Sequence, residues 1–216
     1  MHSGAYFMVL FTVAGCSSMN PVCPEYSGIV DVGTRWEYNY GLDDVSGRQW
    51  REVAELEVAT GLVIIERGWD SLEDDEDTYD RVSNRYEYRC DGTGLWLLSW
   101  FKYDDDGDVE DIWDVHDPGY LEIPANLGPG TTWSTDFHVT VSTSDGNEAE
   151  IYETHECTAL SEESISVQAG EFEGIMVEWE PGLIDPPQQW LGLSAGLILW
   201  GTLDNADSMQ LTSYSP

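Results

Sequence analysis

Apolar and polar residues alternate with a period of two along several stretches of the chain. Such alternation places one face of a strand on a core and the other in water, and it is typical of antiparallel sheets. The pattern therefore predicts an all-β domain of roughly ten strands. The residues that carry it are Trp36, Tyr38 and Tyr40; Trp50, Ala54, Leu56 and Val58; Phe137, Val139 and Val141; and Ile175, Val177 and Trp179.

Turn-forming dipeptides separate these runs. Asp91-Gly92, Asp106-Gly107 and Asp145-Gly146 each lie between apolar or alternating segments, which predicts hairpins at these places. Prolines and a glycine between 181 and 187 predict a longer loop. The segments 72–86 and 151–159 also fit helical spacing, but neither has a clear start and stop signal, so strands are predicted for both.

The expected architecture is one domain over residues 27–216, built on a curved antiparallel sheet, with a β-sandwich or a partly open barrel as the alternative. Short motifs recur at similar offsets, which suggests half-repeats over 27–117 and 125–216. They are Gly33-Thr34-Arg35-Trp36 with Gly130-Thr131-Thr132-Trp133, and Gly94-Leu95-Trp96-Leu97 with Gly196-Leu197-Ile198-Leu199.

The N-terminus has the pattern of an export leader. Residues 5–14 form an uninterrupted apolar run that is too short for a transmembrane helix, which takes about 20 residues. Cys16 follows directly after small residues and resembles the lipidated cysteine of bacterial lipoproteins, although no Lys or Arg precedes the run. We expect a signal peptide over 1–15, lipidation of Cys16 and a tether over 16–26. The protein is then expected in the cell envelope, lipid-anchored to a bacterial membrane and facing the periplasm or the exterior.

The other cysteines lie beyond the predicted lipidation site. Export to an oxidising compartment favours a disulfide among Cys23, Cys90 and Cys157. Pairing of Cys90 with Cys157 is preferred because both lie in strand-like segments, which leaves Cys23 free or paired between chains. Pairing of Cys23 with Cys90 is the alternative, since spacing does not decide between them.

Charge is strongly one-sided, with 42 acidic residues against 8 basic ones and Lys102 as the only lysine. A field of this sign repels phosphate backbones, so it argues against nucleic acid as a partner. Cations and a basic or envelope protein are the electrostatically favoured partners. Hydration of an exposed surface is the simpler interpretation, because the charge is spread through most of the chain.

The second half also carries a short motif, Val167-x-Ala169-Gly170-x-Phe172, followed by Gly196-Leu197 and a last strand near Leu211. With Gly33-x-x-Trp36-x-Tyr38 in the first half, it resembles the TapB-like family of exported bacterial proteins. The resemblance spans about two thirds of the chain. It implies a curved antiparallel sheet and brings no known activity or catalytic residue. The acidic stretch 104–111 is a departure from that family.

Motifs for catalysis are weak. Gly192-Leu193-Ser194-Ala195-Gly196 matches a nucleophile elbow in letters, but a strand follows it and no histidine lies beyond His155, so a hairpin turn is predicted. His155 and Cys157 would share one face of a strand, yet two ligands do not make a zinc site. Acidic residues are too numerous for the sequence to select a hydrolytic pair.

The acidic stretch 104–111 is the strongest candidate for a ligand site. Calcium takes about six to eight oxygen ligands, and Asp104, Asp106 and Asp108 surround a glycine turn. The EF-hand register fails, because Lys102 would be its first residue. A solvated hairpin tip that discourages edge pairing is the simpler interpretation. We therefore expect no cofactor unless calcium binds here.

The chain has 10 tryptophans, more than a small core usually requires. They either fill the core or line a concave face that holds an apolar ligand. The sequence as a whole predicts a non-catalytic lipoprotein of the cell envelope with a binding or structural role. The alternatives are a carrier for an apolar molecule and a hydrolase that uses paired acidic residues.

Overall fold

The computed structural model describes residues 23–29, 31–42, 45–71, 81–180, 188–193, 195–201 and 208–216. The predicted signal peptide, Cys16, the loop 181–187, Ser194 and most of the segment that begins at Leu72 lie outside these residues. Within the described ranges, no helix combines the length and the apolar composition that crossing a membrane requires.

The described residues form thirteen strands and one turn of 3-10 helix, Glu25–Ser27. The all-β prediction is confirmed, and the helix-compatible segment 151–159 lies inside a strand. In chain order the strands are β1 (Arg35–Leu42), β2 (Val45–Glu57), β3 (Leu62–Ser71), β4 (Asn84–Asp91), β5 (Gly94–Tyr103), β6 (Val109–Val115), β7 (Tyr120–Pro124), β8 (Thr132–Thr143), β9 (Glu148–Val167), β10 (Gly170–Glu180), β11 (Gln188–Gly192), β12 (Gly196–Trp200) and β13 (Ser208–Ser215).

The strands form an antiparallel meander that closes on itself. β1 to β6 pair in chain order, β8 pairs with β6, and β8 to β13 again pair in chain order. β13 pairs with β1, so twelve strands complete a barrel. β7 is the thirteenth strand and pairs with the first half of β5, next to β6.

The pairing of β13 with β1 closes the sheet, which differs from the predicted fold class. The expectation of an open curved sheet is wrong, and its barrel alternative is only partly matched because the barrel is fully closed. Alternation identifies the two faces of each strand, but it does not say whether the first and last strands pair. That pairing joins Arg35–Gly41 to Ser208–Ser215, at opposite ends of the domain sequence.

The predicted hairpin turns are confirmed. Asp91-Gly92 joins β4 to β5, Asp106-Gly107 joins β5 to β6, and Asp145-Gly146 joins β8 to β9. Gly192 pairs with Gly196 across the turn between β11 and β12, as a hairpin requires. The residues around the elbow-like motif therefore form a turn between two strands and not a strand-to-helix elbow.

The predicted inward face of β2 is wrong at Trp50 and at Val58, which is exposed in the turn after the strand. Trp50 is buried, but it pairs with Glu37 on the outer face, where the guanidinium of Arg35 lies 4.5 Å from its ring centroid. A bulge between Val53 and Glu55 shifts the register, so the inward side chains are odd-numbered before it. An extra residue in a strand moves the side chains beyond it to the opposite face, and an alternation counted strictly in steps of two residues does not detect the shift.

An apolar core fills the barrel near the turns that join β2 to β3, β4 to β5, β9 to β10 and β11 to β12. We call this the N-terminal end, because residues 23–29 pack here: Cys23, Tyr26 and Ile29 contact the core cluster. The buried residues of that cluster are Trp36, Tyr38, Val53, Val63, Tyr88, Cys90, Leu95, Leu97, Ile123, Ala159, Ile175, Val177, Leu191, Met209 and Leu211.

The disulfide joins Cys23 to Cys90, and Cys157 is buried and free. The preferred pairing of Cys90 with Cys157 is therefore wrong, and the alternative is confirmed. Cys157 lies on β9 and pairs in register with Trp133 and Trp179, whereas Cys90 lies at the N-terminal end of the barrel. Cys23 reaches Cys90 because its segment folds back onto this end, with a Cα–Cα distance of 5.1 Å.

The two recurring motifs occupy matching places. Gly33 and Gly130 lie just before β1 and β8, with φ angles of 92° and 86° that favour glycine. Gly94 and Gly196 are the first residues of β5 and β12. The half-repeats themselves stay a prediction.

Candidate functional site

The inward face of several strands changes from fully buried to half-buried along its length. On β4, Cys90 and Tyr88 are buried and Tyr86 is half-buried. On β5, Leu95 is buried and Trp100 is half-buried. Because both strands run through the same closed barrel, the interior is filled near the N-terminal end and retains accessible space farther along.

The strand number agrees with this change. Eight strands enclose an interior that side chains fill or that holds one small ligand, and barrels of about 16–18 strands leave an aqueous channel. A barrel of twelve strands lies between these sizes. Its side chains therefore need not fill the whole interior.

Aromatic rings line the half-buried part of the interior as a continuous belt. Trp100 lies in register with Tyr86 on β4 and with Trp113 on β6. Its ring centroid is 6.4 Å from that of Tyr86, 4.4 Å from that of Trp113 and 5.8 Å from that of Phe137. Tyr120 continues the belt with an edge contact to Phe137 at 5.6 Å. These spacings are typical of favourable aromatic pairs. We refer to these five residues as the aromatic belt.

Two arginines face the interior beside the belt. Arg51 on β2 and Arg67 on β3 lie directly opposite each other in register. Two positive charges directly opposite each other on neighbouring strands are destabilising, so each arginine needs other groups to stabilise it. The Arg51 Nε donates to Gln49 Oε1 at 3.0 Å, and the Arg67 Nη2 donates to Asn84 Oδ1 at 2.8 Å. The Arg67 guanidinium also lies 5.0 Å from the ring centroid of Tyr86, so it touches the belt.

Arg67 is not fully satisfied by the described part of the chain. Its Nε is buried without a hydrogen-bond partner there. Burial lowers the pKa of Arg67, and the positive charge of Arg51 lowers it further. A buried donor on a cation is costly when unpaired, and a carboxylate or another oxyanion is its natural acceptor.

Glu122 on β7 is the acidic member of this cluster. Burial raises the pKa of its carboxyl, although the positive charge of Arg51 and a hydrogen bond from Tyr88 oppose the rise. The cluster therefore has two guanidinium groups and one carboxyl with a reduced tendency to ionise. A hydrolytic pair needs two close carboxyls, whereas the groups that act on the Glu122 carboxyl are the Tyr88 hydroxyl and the charge of Arg51.

The predicted calcium ligands lie at the tip of the hairpin between β5 and β6. The Asp104 Oδ1 accepts hydrogen bonds from the backbone amides of Asp106 at 3.0 Å and Asp108 at 2.9 Å. One carboxylate thus holds the turn itself. Within the described part of the chain, the carboxylates of Asp104, Asp106 and Asp108 do not form a group whose oxygen atoms all lie within 4.8 Å of one another. Calcium binding stays a prediction.

His155 and Cys157 lie on one face of β9, as predicted. The face points inward, since Cys157 is buried and His155 pairs with Thr135, also buried. The His155 Nδ1 lies 2.9 Å from the Tyr120 hydroxyl, and its Nε2 lies 3.3 Å from Glu153. Burial raises the pKa of the Cys157 thiol to about 12, so the thiol is protonated at neutral pH.

Sequence reasoning missed Arg51, Arg67 and Glu122. A signal existed in the chain, since all seven arginines lie between Arg35 and Arg89, within the first half. Which of them point inward depends on the bulge in β2. Glu122 could not be recognised as an interior residue without knowing that β7 pairs with β5, and the alternation of apolar and polar residues does not show this pairing.

Fold and interior together define a closed all-β barrel with an aromatic and arginine-lined interior. No protein-family model matches the chain, and no curated protein does. The resemblance to the TapB-like family is therefore not confirmed.

Two solved structures are similar to it. One is a presumed exported protein with a YmcC-like fold from Bacteroides fragilis, at 12% identity over 86% of this chain and 97% of that one, with a TM-score of 0.48. The other is a presumed lipoprotein from Parabacteroides distasonis, at 12% identity over 91% of this chain and 99% of that one, with a TM-score of 0.43.

Proposed function

We propose that this protein is a non-catalytic binding protein of the cell envelope. Its ligand is a small amphipathic anion with an apolar or aromatic body and one oxyanion group, held inside the barrel. The observation that carries the proposal is the position of Arg51 and Arg67 beside the aromatic belt. The belt offers ring faces to the body of the ligand, and Arg67 offers a donor to its anionic group.

Export and anchoring are part of the proposal. The apolar run 5–14 and the position of Cys16 support a lipid anchor. The disulfide between Cys23 and Cys90 supports an oxidising compartment, where such bonds persist. Both features fit a protein outside the cytoplasm that carries or retains a ligand.

The charge of the chain makes an interior arginine pair selective. The protein carries a formal charge of −34, so an anion is repelled from most of its surface. An anion that enters the barrel is therefore expected to bind beside Arg51 and Arg67, where two positive charges lie together and little water is present. Charge-assisted hydrogen bonds contribute about 1.5–3 kcal/mol in such places.

The test uses 8-anilino-1-naphthalenesulfonate, whose rings suit the belt and whose sulfonate suits Arg67. Binding to the folded protein is followed by the fluorescence of the probe. We expect Arg67→Gln to weaken binding by about 10- to 100-fold, since 1.4 kcal/mol corresponds to tenfold. The matched control is Arg35→Gln, which removes the same charge from the outer face and should leave the affinity unchanged.

A second probe separates charge recognition from loss of folding. N-phenyl-1-naphthylamine has the same rings without the sulfonate, so wild type and Arg67→Gln should bind it alike. Equal effects of both arginine substitutions on the sulfonate probe would contradict the proposal, as would a wild type that binds neither probe.

A further inference from the structure

A pair of histidines lies on the outer face of the barrel, outside the site described above. His116 follows β6 and His138 lies on β8, where the His116 backbone amide donates to the His138 carbonyl at 2.8 Å. Their imidazole rings stack with centroids 3.7 Å apart and planes inclined by 20°. Because the rings are stacked, their nitrogen atoms lie close together on one side of the sheet.

A carboxylate from the next strand completes the group. Glu150 on β9 lies with a carboxylate oxygen 3.3 Å from the His138 Nε2. The His116 Nε2 lies 2.8 Å from the Thr140 hydroxyl, and Thr140 is opposite Glu150 in register. One ligand atom from each of His116, His138 and Glu150 lies within 4.8 Å of the other two. β6, which ends just before His116, is adjacent to β8, and β8 is adjacent to β9, so the barrel fixes the relative positions of the three residues.

The histidines also line a cavity of about 290 Å³. Asp117, Asp136 and Tyr152 line the same cavity. A metal held by the two histidines and Glu150 would therefore have a free position that a water or an anion can reach. Zinc sites with three protein ligands keep a fourth position for a water or another small ligand.

Electrostatics favour a cation at this place. Residues 103–216 contain 24 acidic residues and neither lysine nor arginine. Arg89 reaches the edge of the cavity, where its guanidinium donates to the Pro118 carbonyl at 3.1 Å and pairs with Asp91 at 3.0 Å. A field of this sign concentrates divalent cations, and the two imidazoles select a transition metal over calcium or magnesium.

We propose that His116, His138 and Glu150 bind one divalent transition metal ion, for which Zn²⁺ is the natural candidate. Zinc takes nitrogen and carboxylate oxygen ligands at about 2.0–2.2 Å. Tetrahedral ligands at those bond lengths lie about 3.3 Å apart, so the most distant ligand atoms need to move closer by no more than about 1.5 Å. His116 and Glu150 are exposed, which leaves their side chains free to make that adjustment.

The experiment is a calorimetric titration of the full processed chain with Zn²⁺ in the presence of millimolar calcium, which occupies non-specific carboxylate sites. We expect one high-affinity zinc ion per chain. Separate His116→Gln and His138→Gln substitutions should each weaken it by at least about tenfold, because each removes one ligand. The matched control is His155→Gln, whose ring lies on the inner face next to Glu153 and should not affect zinc binding.

A spectroscopic measurement on the wild type avoids dependence on variants that fold poorly. Zinc should shift the ring ¹⁵N resonances of His116 and His138 and leave those of His155 in place. If His116→Gln and His138→Gln both leave the zinc affinity unchanged, or if the His155 ring alone responds, the assignment is overturned. Zinc binding that calcium displaces completely would also overturn it, because it would belong to the acidic surface in general.

Discussion

The link between Cys23 and Cys90 makes a quantitative prediction about stability. The two cysteines are 67 residues apart in sequence. In the chain-entropy description, a loop of this length loses 2.1 plus 1.5R ln n, or about 15 cal/mol/K, in the unfolded state. At 25 °C this corresponds to about 4 kcal/mol, which is a large part of the 5–15 kcal/mol that typically separates folded from unfolded domains.

The perturbation is Cys23→Ala in protein oxidised during export, with Cys16→Ser in every sample to remove the acylation site. We expect the free energy of unfolding in urea to fall by about 4 kcal/mol and the melting temperature by about 8–16 °C, at 2–4 °C per kcal/mol for this chain length. Addition of a reductant should lower the stability of the parent protein to that of the variant and should not change the variant.

Cys157→Ala is the matched control. Its thiol is buried and unpaired, so the substitution removes only packing and keeps the disulfide. Equal urea midpoints for the parent protein and Cys23→Ala would refute the reasoning from loop closure. A peptide map of the oxidised parent protein that joined Cys90 to Cys157 would refute the assignment itself.

Two further predictions concern Glu122 and Cys16. Because burial raises the folded-state pKa of Glu122 above its ordinary value of 4.5, the folded protein binds more protons between these two values. Wild type should therefore lose stability relative to Glu122→Gln as the pH rises above about 4.5. The loss is ~1.4 kcal/mol for each full unit between the pKa values of the unfolded and folded states. Urea midpoints that change in parallel with pH for the two proteins would contradict this. Cells given a palmitate analogue should label the wild type in a globomycin-sensitive way and not label Cys16→Ser, and equal labelling of both would exclude the anchor.

Local features of the fold were predictable because neighbouring residues determine them. The aspartate–glycine pairs at 91–92, 106–107 and 145–146 all lie in hairpin turns, and Gly107 and Gly146 have φ angles of 85° and 84°, which glycine adopts readily. The alternation of Trp36, Tyr38 and Tyr40 also identified β1 and its inward face. These predictions rest on a few adjacent residues each.

Closure, register shifts and the disulfide depend on contacts between distant parts of the chain. The bulge after Val53 is one extra residue, and it reverses the face that Trp50 was expected to occupy. Cys23 was assigned to a tether, although its segment packs on the core. Periodicity does not contain this information, because a segment can fold back without any repeating pattern.

The two candidate sites were hidden for related reasons. His116 and His138 are 22 positions apart and meet only because β8 pairs with β6 instead of β7. Arg51 and Arg67 meet because β2 and β3 form a hairpin whose register follows the bulge. The signal that could have been used was the confinement of every arginine to residues 35–89.

The covalent bond at Cys23 also determines how an anchored barrel would be oriented. Only six residues separate Cys16 from Cys23, so a fully stretched connection reaches about 25 Å. If Cys16 carries acyl chains, the disulfide between Cys23 and Cys90 links the anchored segment directly to β4 of the barrel. The N-terminal end would then face the lipid surface, and the half-buried aromatic rings would lie on the side turned away from it.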